Sequence, residues 1–289
     1  MTLHLDSHSG HLHDEEPHED YGGLHRDLLA TGAKLSRRNI LRMAASFGAS
    51  ASVFQLLGCG TTSDLTGTTG DGSGTTNTGT VACPSRIPAE TAGPFPGEGS
   101  NGPNVLNVTG VVRNDIRSSF GTLSGTAAGI PLNIALTLVS ASSCAPLANY
   151  AVYLWHCDRA GLYSLYSAGA TNQNYLRGVA ATNSAGQVNF TSIFPACYVG
   201  RWPHIHFEVF ASLAAATNVG NKIATSQIAL PKATCDLVYA TTGYSQSISN
   251  LSQVSLATDN VFSDGSALEL ATCTGNVTSG ITAALTIAV

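Results

Sequence analysis

Apolar and polar residues alternate, or apolar residues run unbroken, over strand lengths at five places. These are Val105 to Val112, Leu132 to Val139, Ala151 to Trp155, Gln187 to Ile193 and Ile205 to Phe210. Successive side chains of a strand point to opposite faces. Alternation therefore marks a half-buried strand, and a short apolar run marks one covered on both faces. Clusters of Gly, Asn, Ser and Pro separate these segments. Only Tyr244 to Val254 suggests a short helix, and no internal repeat is present. The pattern predicts an all-β fold: a single antiparallel β-sandwich over residues 82–289 with few short helices.

The first 81 residues follow another pattern. Residues 1–36 are polar and carry six histidines (His4, His8, His11, His13, His18 and His25). Arg37-Arg38 then precedes a modest apolar run from Met43 to Leu57, which ends in Leu56-Leu57-Gly58-Cys59. Residues 1–58 resemble a twin-arginine export signal that ends in a lipoprotein processing box, with Cys59 as the lipidated residue. Residues 59–81 are dominated by Gly, Ser and Thr and read as a flexible tether. The expectation is an exported protein on the periplasmic or extracellular face, held to a membrane through a lipid at Cys59. Beyond Cys59 six cysteines remain, an even number that suggests disulfides in an exported domain, with fifteen pairings open.

Composition narrows the function classes. The 289-residue chain has a net charge of −5 and only 11% charged residues, which argues against a nucleic-acid partner. From Cys59 onward there are 11 acidic and 8 basic residues, a charge of −3, and only three histidines: His156, His204 and His206. No apolar stretch reaches the 18 or more residues of a spanning helix. Composition does not predict the oligomeric state.

The chemistry concentrates between Trp155 and Phe210. His204-Ile205-His206 lies on a predicted strand, where positions i and i+2 share a face and two imidazoles can grip one metal. Glu208 shares that face and stays open as a third ligand. Tyr163, in a turn after Gly161, and Tyr198, six residues before His204, offer phenolates, hard anionic donors that suit a trivalent metal. His156 reads as core or as support for the ligands. Arg177 reads as holding a loop or pairing with a carboxylate.

These residues occur in an ordered set: Glu90-Thr91-Ala92-Gly93-Pro94-Phe95, Trp155-His156, Gly161-Leu162-Tyr163-Ser164, Leu176-Arg177-Gly178, Tyr198, Arg201, His204-Ile205-His206 and Thr225-Ser226-Gln227-Ile228. The set resembles the intradiol ring-cleavage dioxygenases, the catechol and protocatechuate dioxygenase family. The resemblance implies a non-haem Fe(III) bound by Tyr163, Tyr198, His204 and His206, with Tyr198 displaced when a catechol chelates the iron. It implies that Arg201 stabilises charge developing on the substrate, and that Gln227, Trp202 and Phe95 line the substrate pocket. The implied reaction inserts O2 between the two hydroxylated carbons of a catechol and yields a muconate-type diacid. Phe95-Pro96 stands where related enzymes often carry a tyrosine, which leaves open whether protocatechuate or another catechol is the substrate. Cys157 and Cys197 flank these motifs, and a bridge between them is one of the open pairings. The alternative is a non-catalytic, lipid-anchored β-sandwich module that binds a ligand or metal.

Overall fold

The computed structural model describes residues 83–289, so the expected export signal, Cys59 and the expected tether lie outside the described residues. Among the described residues, eight strands form two four-stranded sheets. They are β1 (Pro131–Val139), β2 (Ala151–Trp155), β3 (Arg177–Ala181), β4 (Gln187–Ile193), β5 (His204–Phe210), β6 (Lys222–Ala229), β7 (Thr272–Asn276) and β8 (Gly280–Ala288). One sheet has the order β4-β1-β8-β7 and the other β3-β2-β5-β6. Two short helices, α1 (Lys232–Tyr239) and α2 (Ser245–Leu251), follow β6, the second inside the segment where a helix is expected. Among the described residues no helix is long and apolar enough to cross a membrane.

The sandwich is not purely antiparallel. β1 pairs antiparallel with β4 but parallel with β8, which inserts between β1 and β7. β1 alternates as its sequence predicts, burying Leu132, Ile134, Leu136 and Leu138. These pack with Val152 and Leu154 of β2 and with Ile205, Phe207 and Val209 of β5 in one core between the sheets.

β2 and β5 are buried along their whole length, so their second face is covered as well. The cover consists of irregular chain: Val105, Leu106, Val111, Phe120 and Tyr163 pack with Tyr153, Trp155 and Phe210 in a second cluster. The strand expected over Val105 to Val112 is therefore absent. Its apolar residues sit in turns and a single parallel bridge from Val112 to Val179, where they plug the outer face of the sheet. The functional site lies between this face and its cover.

One disulfide is present among the described residues, Cys83–Cys144, spanning a sequence separation of 61. Cys157 and Cys197 are not bridged, contrary to one expected pairing. Both are buried thiols, directed at the carbonyls of Ala196 (3.7 Å) and Arg201 (3.4 Å) respectively. Burial pushes both thiols well above their ordinary range, so they pack as small apolar groups.

Candidate metal centre

β5 presents His204 and His206 on its outer face, while Ile205 and Phe207 enter the core. The two Nε2 atoms are 3.1 Å apart. His204 Nδ1–H donates to the carbonyl of Trp202 at 2.5 Å, which leaves Nε2 as the lone-pair nitrogen. His206 stacks on Trp155, its cross-strand partner, with ring centres 5.0 Å apart and planes 5° from parallel. Burial holds both imidazoles well below their ordinary pKa, with Arg201 adding to the effect on each and His204 on His206. Both are therefore neutral at pH 7, the form that binds a metal.

Both tyrosines converge on this pair. Tyr163 Oη lies 3.4 Å from His204 Nε2 and 3.2 Å from His206 Nε2, and Tyr198 Oη lies 3.2 Å from His204 Nε2. Tyr163 follows a turn that Asp158 organises. One Asp158 carboxylate oxygen accepts from Ala160 N (2.8 Å) and Leu162 N (3.0 Å), the other from the Tyr175 hydroxyl at 3.1 Å. Gly161 in that turn has φ +87°, and a Cβ there would meet Tyr198 Cβ at 3.3 Å. Tyr198 ends a segment that the helices clamp. Tyr239 and Tyr244 donate to the carbonyls of Pro195 (3.1 Å) and Phe194 (2.8 Å). Cys197 is held through its N–H by Ser247 (3.0 Å) and through its carbonyl by Asn250 (2.8 Å).

The donor set fits a metal. Nitrogen and oxygen ligands sit about 2.0–2.2 Å from a transition metal. Donors that far from one centre and 3.1–3.4 Å apart subtend about 90–115°. Among the described residues no group of three or more His, Cys, Asp or Glu could hold a metal, so this centre depends on phenol oxygens. Glu208 is not among the donors. Its Oε1 accepts from Lys222 Nζ at 2.9 Å and from Thr225 at 3.2 Å.

Arg201 and Gln227 stand beside the cluster, both fully buried. Arg201 Nη1 is 3.5 Å from His204 Nε2, and Nη2 donates to Gln227 Oε1 at 2.6 Å. Gln227, paired with His206 across the strands, donates onward to the Thr91 carbonyl at 2.9 Å. Phe95 packs against Tyr163, with ring centres 5.0 Å apart. Trp202 is not at the site: its ring lies in the core between the sheets, and its Nε1 donates to the Leu230 carbonyl at 2.8 Å. Its backbone does contribute, through the carbonyl that fixes the His204 tautomer.

His156 is buried away from the donors, bonded to the Cys157 carbonyl and to Ser192 Oγ, both at 2.7 Å. Arg177 meets no carboxylate among its described hydrogen bonds. It donates to the carbonyls of Phe95 (2.9 Å), Pro96 (2.8 Å) and Ser164 (2.9 Å), tying the Phe95 segment to the turn that carries Tyr163. Two contributors escaped the sequence reading. Trp155 supplies the stacking surface under His206, a role its adjacency to His156 did not disclose. Asp259 pairs with Arg201 across 58 residues, with nothing local to mark it.

Residues 102–242 match a family model described as Dioxygenase. The intradiol ring-cleavage dioxygenase from Tetranychus urticae superposes with a TM-score of 0.57 at 24% identity, covering 71% of this chain and 94% of that one. A second dioxygenase crystal structure superposes with a TM-score of 0.56, also at 24% identity and with the same coverage. Catechol 1,2-dioxygenase from Pseudomonas arvilla C-1 gives a TM-score of 0.42 at 18% identity, covering 69% of this chain and 60% of that one. A search of curated proteins found no match. The family match falls on the segment that holds Tyr163, Tyr198, Arg201, His204 and His206, and the fold likeness extends over the sandwich around it. Residues 102–242 thus match the Dioxygenase family model, and the domain that holds them has the fold of the intradiol ring-cleavage dioxygenases.

Proposed function

We propose that the domain is a non-haem Fe(III) dioxygenase that cleaves catechols lacking a ring carboxylate, and that Tyr163, Tyr198, His204 and His206 hold the iron. The convergence of two phenol oxygens and two imidazole nitrogens at 3.1–3.4 Å separations carries this reading. Two phenolates offset most of a trivalent charge, whereas two neutral imidazoles add none. When bound, Fe(III) would supply the Lewis acidity that ionises the phenols and makes a chelated catechol reactive toward O2.

The chain's own residues divide the remaining work. Tyr163 is enclosed, at 2% exposure, and Tyr198 is only half-buried. Tyr198 would thus be the donor placed to give way to substrate, and its Oη could take up a catechol proton. The Trp202 carbonyl keeps the His204 proton on Nδ1. Trp155 covers the flat face of His206 and keeps water from it. Arg201 directs its guanidinium edge at the cluster, where a fixed positive charge stabilises negative charge developing on a bound ring.

The substrate class follows from how the arginines are engaged. Arg177 is bonded to main-chain carbonyls and hydroxyls, and Arg201 to Asp259 and Gln227. Neither offers the bidentate face that a ring carboxylate would take. The Cys83–Cys144 disulfide supports the proposed export to an oxidising compartment.

The test is iron loading of the purified protein followed by visible spectroscopy and O2-uptake assays. The expected results are a phenolate-to-iron absorption band and O2 uptake with catechol well above that with protocatechuate. Protein that stays colourless and inert after iron loading would favour the non-catalytic binding module instead.

A further inference from the structure

We propose that Asp259 is a positioning residue that fixes the plane of the Arg201 guanidinium over the site. This inference rests on the functional reading above, in which Arg201 acts on the bound ring. Asp259 and Arg201 are both 0% exposed. Asp259 Oδ2 accepts from Arg201 Nε at 3.0 Å and from the Trp202 backbone N–H at 2.6 Å. Its Oδ1 accepts from the backbone N–H groups of Val261 (2.8 Å) and Phe262 (3.1 Å). The four bonds engage both carboxylate oxygens. They anchor the carboxylate to its own turn on one side and to the Arg201-Trp202 segment on the other.

The consequence for Arg201 is geometric. A guanidinium is planar, so two bonds on different edges fix its orientation. Asp259 holds the Nε edge and Gln227 holds Nη2, leaving Nη1 toward His204 Nε2 at 3.5 Å. Gln227 is a neutral acceptor that is itself anchored to the Thr91 carbonyl. Asp259 is the anionic partner of the pair and the stronger hold. The same carboxylate grips the N–H of Trp202, the residue whose own carbonyl orients His204. Asp259 thus registers the cation and the ligand strand to one another.

Asparagine at 259 keeps the shape but cannot satisfy the same bonds. Whichever way the amide is turned, its NH2 faces two N–H donors. The expected result for Asp259→Asn is a kcat lowered about 100-fold, the scale set by misplacing one electrostatic stabiliser, with KM and the visible band little changed. In an Arg201→Ala background, Asp259→Asn should change kcat less than about threefold, because its effect runs through the missing side chain. An equal loss in both backgrounds, or no loss in the wild-type background, would overturn the proposal.

A second measurement needs neither a variant nor activity. In the metal-free wild-type protein the Arg201 Nε–H should give a protected NMR resonance, slow to exchange with water. Exchange as fast as that of an exposed arginine would overturn the proposal even if Asp259→Asn failed to fold. Should no catechol support O2 uptake, the functional reading fails while this resonance still reports whether Asp259 holds Arg201.

Discussion

Replacing Arg177 by methionine should destabilise the domain and loosen the site together. The side chain is buried at 1% exposure. Its Nε donates to Ser164 Oγ at 3.0 Å, Nη1 to the Pro96 carbonyl at 2.8 Å and Tyr153 Oη at 3.4 Å, and Nη2 to the carbonyls of Phe95 and Ser164, both at 2.9 Å. Methionine fills a similar volume and donates nothing, so the Phe95 and Ser164 carbonyls lose their donor, whereas the Pro96 carbonyl keeps the Tyr153 hydroxyl at 2.7 Å. Each buried acceptor left unsatisfied costs about 1–3 kcal/mol, and removal of a buried charge offsets part of the sum. The net expectation is a loss of about 3–5 kcal/mol. For a domain of about 200 residues that lowers Tm by about 6–20 °C. Thermal melts of metal-free wild-type and variant protein would measure it without the added stability of a bound metal. Iron loading of the same variant should give a weaker visible band, because Ser164 adjoins Tyr163. A variant melting within about 2 °C of wild type, under 1 kcal/mol, would refute this account of what holds the Phe95 segment to the Tyr163 turn.

Burial lowers the His156 pKa to about 4, with the Cys157 carbonyl opposing the shift and Arg177 adding to it. The native state therefore binds fewer protons than the unfolded chain. The stability from neutral His156 is present above pH 6.5 and lost as pH falls through about 4, a change of about 3 kcal/mol. Urea unfolding from pH 7 to 4 should show a steeper loss for wild type than for His156→Gln; parallel curves would contradict the assignment. The Cys83–Cys144 bridge spans a separation of 61 residues, and closing a loop of that size contributes about 4 kcal/mol in the chain-entropy treatment. The Cys83→Ser/Cys144→Ser double variant should unfold at lower denaturant yet keep the visible band, and an unchanged midpoint would argue against that contribution.

Strands that bury one face against the opposite sheet announced themselves. β1 alternates cleanly, and β2, β4 and β5 carry their apolar residues in short, bounded runs. β3 and β6 did not. Arg-Gly-Val-Ala-Ala and the polar stretch over Lys222–Ala229 owe their strand state to pairing with β2 and β5 rather than to their own pattern. β7 and β8 are rich in Thr, Ala and Gly, whose periodicity is too weak to read. Val105 to Val112 misled for the opposite reason: its apolar residues cover a sheet without joining one. At the site, residue chemistry and spacing pointed to Tyr163, Tyr198, His204 and His206, and the fold brings them together. Trp202 was placed at the pocket by resemblance, which does not say which way its ring turns, and the ring lies in the core. Asp259 was invisible because a long-range ion pair leaves no local trace.

The placement of β8 bears on how the protein is made. Its partner β1 begins at Pro131, and β8 begins at Gly280. A ribosome adding about 5–20 residues per second leaves β1 with one bare edge for about 7–30 s. That edge belongs to Ile-Ala-Leu-Thr-Leu-Val, an uncharged, β-prone segment of the kind that pairs with other chains. The final pairing also ties Ile87 to Ala288 and Val289 to Val139, so the tail helps to secure the front of the domain. The sandwich closes after synthesis of β8 rather than during it. A nascent chain interrupted before Gly280 is left with an open sheet, a natural substrate for holdase chaperones and proteases.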